Sequence, residues 1–115
     1  MIKTVINIED LNERTADDNE LASELLDMLI LAKSNYFSEI DDAIRKTDMN
    51  KLAGELHKLK STVAILGFNN LAEEMANVEK IALKKNDGID YSSKINSIFI
   101  SLNDHIVELE KILKK

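Results

Sequence analysis

Apolar residues recur at intervals of three and four along most of this chain, and no proline interrupts the pattern. That period belongs to helices with one buried face, whereas a half-buried strand would alternate. A long helix is predicted over residues 18–46, capped by Asp17 or Asp18, with Leu21, Leu25, Met28, Leu29, Ala32, Tyr36, Ile40 and Ala43 turned inward. Asp48 is expected to cap a second helix over 48–66, stopped by Gly67, with Leu52, Leu56, Leu59, Val63 and Leu66 on its apolar face. A third runs from a cap at Asn69 to about residue 85. It buries Leu71, Met75, Val78 and Ala82, and carries Glu73 and Glu74 in its first turns, where the dipole favours acids. Residues 84–90 read as a loop. The last helix spans 92–113, burying Ile95, Ile98, Phe99, Leu102, Ile106, Leu109 and Leu113 and closing on Lys111, Lys114 and Lys115. A turn or short helix around residues 8–12 precedes the set. Short links between four amphipathic helices predict an all-α, up-and-down antiparallel four-helix bundle with a short N-terminal helix or turn. The 115 residues suffice for a single domain over 1–115 with a real core.

The chain has no cysteine, which excludes disulfides, thiol catalysis and cysteine-based metal sites and fits an intracellular, cytoplasmic setting. The longest unbroken apolar run, residues 28–32, is far too short to span a bilayer. Neither membrane insertion nor secretion is expected. Net charge is −6, unevenly spread: residues 1–50 hold 12 acids and 5 bases, residues 51–115 hold 9 and 10. An acidic surface repels nucleic acid. Lys51, Lys58 and Lys60 in the less acidic half would make a locally positive site suited to an anion, although Lys51 and Lys58 read better as an ordinary solvated face.

His57 lies roughly 135° from the centre of the apolar face of its helix, so it should look outward. Ala53 and Gly54 stand one turn back, Lys60 and Ser61 one turn on, and Ala64 two turns on. An imidazole ringed by small side chains, with one ammonium beside it, is open to another protein's active site. Neutral imidazole keeps one nitrogen protonated and offers the other as a nucleophile. The second histidine, His105, sits on the flank of the last apolar stripe and reads as half-buried packing, with no ligand spacing that would make a metal site. Leu26, Ile30, Phe37 and Ile44 form a second stripe on the long helix. Whatever part of it stays exposed, with Ser61, Ala64, Ile65 and Phe68, could dock a partner.

From His57 to Glu79 the spacing carries more. Leu59 and Lys60 follow the histidine by two and three residues, Ser61 and Thr62 come next, Gly67 stands ten residues on and Leu71 four beyond it. This run resembles the motif of the histidine-containing phosphotransfer (HPt) domain. Two positions depart: Ser61 replaces the first glycine, and Met75 stands where many members carry cysteine. The resemblance implies a helical bundle that carries a phosphoryl group on His57 to and from receiver-domain aspartates in a multi-step phosphorelay, as a phosphocarrier without ATP-dependent kinase activity of its own. It also implies that Lys60 steadies the phosphoryl oxygens and that Glu79 orients the imidazole. The partner would be a response-regulator receiver domain or a hybrid histidine kinase, with the receiver supplying Mg²⁺, so that the chain needs no cofactor of its own and works as a monomer. Ser61 leaves room for a rival: a transfer-poor helical module that docks a receiver or sensor domain as a regulator. A hydrolase using His57 as a base lacks any nucleophile partner in the sequence.

Overall fold

The computed structural model describes residues 2–85 and 88–114. Among the described residues there are five helices and no strand: α1 (Ile8–Arg14), α2 (Asn19–Arg45), α3 (Met49–Ile65), α4 (Asn69–Leu83) and α5 (Tyr91–Leu113). The predicted boundaries hold to within about two residues. Lys84, Lys85 and residues 88–90 of the predicted loop fall outside any helix; Asn86 and Asp87 of that loop, and Lys115 of the predicted terminal lysines, lie outside the described residues.

The helices start where short acceptor side chains satisfy free amides. Asp18 accepts from the Glu20 and Leu21 N–H groups, Asp48 from Lys51, Asp90 from Ser93 and Asn7 from Asp10, all at 3.0–3.1 Å. The fourth helix departs from expectation. Its cap position is Phe68, whose side chain caps nothing, and Asn69 is its first helical residue. The Asn69 amide instead donates to Asp10 Oδ2 at 2.8 Å, which ties α1 to the start of α4.

Gly67 ends α3 in the left-handed region, with φ +80°, and the Asn7 N–H donates to its carbonyl at 2.8 Å. A Cβ on Gly67 would stand 2.5 Å from the Asn7 carbonyl oxygen, so both the turn and the crossing N-terminal segment require glycine there.

α3 packs against α2 and α4, α5 packs against the same two, and α1 lies on α3. The ring encloses one core and gives a body of 43 × 22 × 21 Å, whose long dimension matches the roughly 40 Å expected of the 27-residue α2. The inward faces predicted for α3 and α4 are fully buried, as are Ile95, Ile98, Leu102 and Leu109 of α5. α2 differs. Ala22, Leu26 and Leu29 face the core over its first half, while Leu21 and Met28 are exposed, so the buried face is turned by about one residue from the predicted stripe. Leu25, Ile30, Phe37 and Ile44 pack against the core from its edge, with Phe37 stacked on Phe99 at 3.8 Å between ring centroids.

His105 is not half-buried but wholly enclosed. Its ring lies 5.0 Å from that of Phe68, and its Nδ1–H donates to the Ser101 carbonyl at 2.7 Å. A carbonyl can only accept, so Nδ1 carries the proton and Nε2 is left without a partner among the described residues. No helix among the described residues is long and apolar enough to cross a membrane.

Candidate functional site

α3 presents His57 on its outer side because the five apolar positions at three- and four-residue spacing occupy the inner one. The imidazole side chain is 61% exposed. α4 lies alongside and supplies Glu79, which is mostly buried, with its carboxylate beneath the ring. Glu79 Oε2 is 3.2 Å from His57 Nδ1, and Oε1 accepts from Lys60 Nζ at 3.0 Å. A carboxylate accepts and does not donate, so the short contact places the proton on Nδ1. Whenever the ring is neutral, its lone pair then sits on Nε2, the nitrogen that Glu79 does not hold. One carboxylate thus fixes the tautomer and orientation of the imidazole and parks the ammonium one turn away.

Other lysines of α3 are held elsewhere. Lys51 is clamped between Glu39 and Asp42 of α2, both at 2.8 Å, which pushes its ammonium well above the ordinary lysine range. The same contact, with a smaller one from Lys46, lowers the Asp42 carboxyl. Lys58 pairs with Glu55 at 3.0 Å and is raised by it. Each lysine of α3 therefore carries its own counter-charge, which corrects the expectation of a locally positive surface around His57.

Small side chains next to the imidazole divide by face. Ala53 is buried, Ala64 is half-buried, and Gly54 and Ser61 are exposed. The Ser61 hydroxyl donates back to the His57 carbonyl at 3.1 Å, folding onto its own helix rather than outward. Glycine at position 54 is less favourable in a helix interior than alanine by about 1 kcal/mol. Among the described residues, no cluster of three or more His, Cys, Asp or Glu side chains is grouped to hold a metal ion.

The predicted docking residues are only partly surface residues. Ser61 is exposed and Ala64 and Ile65 are half-buried, but Phe68 and Leu26 are fully buried and Ile30 packs against the core. Phe68 and Leu26 cannot meet a partner: Phe68 is drawn in with the α3–α4 turn against His105, and Leu26 belongs to the true inward face of α2. Two apolar residues of α2 not singled out for the surface are exposed instead. Met28 is 64% and Leu31 83% exposed. Each stands eleven residues, or three turns, before an acid that grips Lys51: Met28 before Glu39, Leu31 before Asp42. They therefore share the side of α2 that carries Glu39 and Asp42. The signal was in the sequence, as the phase shared by Met28, Leu31, Glu39 and Asp42, but it has meaning only once Lys51 is known to reach those acids.

The family model of the Hpt domain matches residues 24–113. The chain belongs to the Hpt family. Hpt domains carry out histidine phosphotransfer in two-component signalling, working with receiver domains and kinases. The match covers all of α3, α4 and α5 and most of α2, and leaves α1 and the segment before it outside. No curated protein and no solved structure matches the chain significantly.

Proposed function

We propose that this Hpt domain is a phosphocarrier of a multi-step phosphorelay, with His57 Nε2 as the acceptor. The observation that carries the reading is the exposed imidazole whose Nδ1–H is held by Glu79, leaving one nucleophilic nitrogen facing outward on the helix that bears the family motif. In the transfer step the Nε2 lone pair forms the N–P bond to the phosphorus of a receiver's aspartyl phosphate. The P–O bond breaks, and its electron pair leaves with the aspartate carboxylate. Nδ1 keeps its proton, so the ring acquires positive charge as phosphoryl arrives, and Glu79 stabilises that charge through the existing contact. Lys60 exchanges part of its bond to Glu79 for the phosphoryl oxygens, one turn from the acceptor. Phosphoryl transfer needs chiefly positioning and charge stabilisation. The partner receiver brings the aspartate and Mg²⁺; this domain brings the oriented nucleophile.

In this reading the ring of α2, α3, α4 and α5 is an up-and-down antiparallel four-helix bundle spanning one domain. Three-residue links between α2 and α3 and between α3 and α4 support it, as does the reversed order of the pairs Lys33–Asn103 and Phe37–Phe99 across α2 and α5. With α2 and α3 antiparallel, the three turns leading from Lys51 forward along α3 end at Thr62, opposite those leading back along α2 to Met28 and Leu31. The docking surface is then Met28, Leu31, Ser61, Ala64 and Ile65, next to His57. The domain acts as a cytoplasmic monomer. Against a transfer-poor regulator stands the Ser61 hydroxyl, tied down on the His57 carbonyl and leaving the imidazole clear.

The test is label transfer from a phosphorylated receiver. Wild type should take acid-labile phosphate, and His57→Gln should take none while keeping its fold. Label that persists in His57→Gln and disappears in His105→Gln would overturn the assignment.

A further inference from the structure

Gly54 has no reason within this molecule to be glycine. It lies inside α3, one turn before His57, where glycine loses the most chain entropy on folding and packs nothing. The other described glycines carry a reason in their backbone, with φ of +80° at Gly67 and +84° at Gly88. Gly54 is helical, and no neighbouring atom comes within 4 Å of the place a Cβ would occupy. Alanine would fit and would strengthen the helix. The use of a missing side chain must lie outside the chain.

Resting on the phosphotransfer reading, we infer that Gly54 is the point of closest approach for the partner receiver domain and sets how deeply His57 enters the partner's active site. Nε2 must come within bonding distance of phosphorus, so the α3 surface around His57 has to pass close to whatever rims that phosphoryl group. Four residues flank His57 at one turn. Ala53 is buried, Lys60 is drawn aside to Glu79, and Ser61 keeps its Cβ on the surface although its hydroxyl folds back. Gly54 is the exposed one with no side chain at all, and it is the lowest point beside the nucleophile. The partner, seated on Ser61, Ala64 and Ile65 beyond His57, therefore also crosses α3 on the N-terminal side of His57, toward Asn50, with its rim closest at Gly54.

A Cβ at position 54 should then have opposite effects on the fold and on transfer. Gly54→Ala should raise Tm by about 4 °C, from helix propensity in a domain of this size. The same variant should lower kcat/KM for transfer from a receiver. A larger side chain displaces the partner further, and a misplacement of about 1 Å costs on the order of 100-fold, so Gly54→Leu should lose at least that much. Phosphoramidate, a small phosphodonor that needs no docking, should label His57 at the wild-type rate in both variants. The experiment uses the full chain, a receiver domain charged with acetyl phosphate and Mg²⁺ and chosen because it labels wild type, and phosphoramidate in parallel. Slowed transfer from the receiver, with higher Tm and unchanged labelling by phosphoramidate, supports the inference. Unchanged transfer from the receiver in both variants overturns it, as does an equal loss with both donors, which would put the defect in the His57 site itself. Failure of the underlying reading looks different and shows before any variant is compared: no charged receiver labels wild type on His57, and neither does phosphoramidate.

Discussion

A carboxylate bridging an imidazole and an ammonium constrains both, and Glu79 can do so only because it has two acceptor oxygens. Replacing it separates its two duties. In Glu79→Gln a single amide oxygen can serve His57 or Lys60, and the amide NH₂ then faces a second donor. Transfer should slow by on the order of tenfold, with the ring still held in part. Glu79→Ala removes the anchor altogether and should slow transfer further, toward 100-fold. Initial rates with a phospho-receiver measure both, and ¹⁵N chemical shifts of the ring nitrogens should show the Nδ1–H tautomer of wild type giving way to a mixture in Glu79→Ala. A wild-type rate in Glu79→Ala would mean that the contact does not orient the acceptor. That His57 faces outward with Lys60 one turn on was legible from helical phase, and Glu79 was singled out by motif spacing; that its carboxylate meets both needed the packing of α4 on α3. Phe68 was not legible as core, since its burial depends on how the α3–α4 turn closes over His105, a contact between residues 37 positions apart.

At the scale of elements, the joints are more informative than the helices. Gly67→Ala would combine a strained φ with a Cβ 2.5 Å from the Asn7 carbonyl. It should cost at least about 1–2 kcal/mol, seen as a drop in the urea midpoint, with the N-terminal segment lifting from the α3–α4 turn. The α2–α3 joint should depend on pH. Lys51, and secondarily Lys46, holds the Asp42 carboxyl below its ordinary 3.8. A carboxyl depressed in the folded state contributes stability that is present above its unfolded pKa and lost as pH falls through the lowered folded value. Asp42→Asn should therefore be less stable than wild type near neutrality, with the gap closing as the medium is acidified below the ordinary carboxylate range. A gap that persists in strong acid would argue that packing, not charge, holds this joint. The starts at Asp18 and Asp48 were readable because these acids have few other uses beside free amides; Asp90, which caps α5, was read only as the end of a loop. The rotation of α2 was not readable. Its first half carries apolar residues on two adjacent stripes, and which stripe turns inward is decided by where α3 and α5 lie, not by α2 itself.

For the whole molecule, the rotation of α2 separates what holds the bundle together from what is left to a partner. Leu26 is fully buried, so Leu26→Ala should cost roughly 2–5 kcal/mol. Leu31, five residues further on, is the most exposed large apolar side chain of α2, and its truncation should cost little. If the apolar edge of α2 serves a receiver, then Leu31→Glu, alone or with Met28→Glu, should leave the unfolding midpoint within about 0.5 kcal/mol of wild type. The same change should weaken docking, because a charge placed in the apolar centre of an interface must be desolvated there without a counter-ion. On a protein already at −6, added acid also opposes any acidic partner surface, so part of the loss should depend on salt. Calorimetric titration with a receiver at low and moderate ionic strength measures affinity, and chemical unfolding of the same samples measures the fold. Affinity lost at both salt levels, with stability unchanged, assigns the α2 edge to the partner. If the loss vanishes in salt, the effect is long-range charge alone and the contact lies elsewhere. Should the variant unfold as readily as Leu26→Ala, the exposed face of α2 has been wrongly drawn.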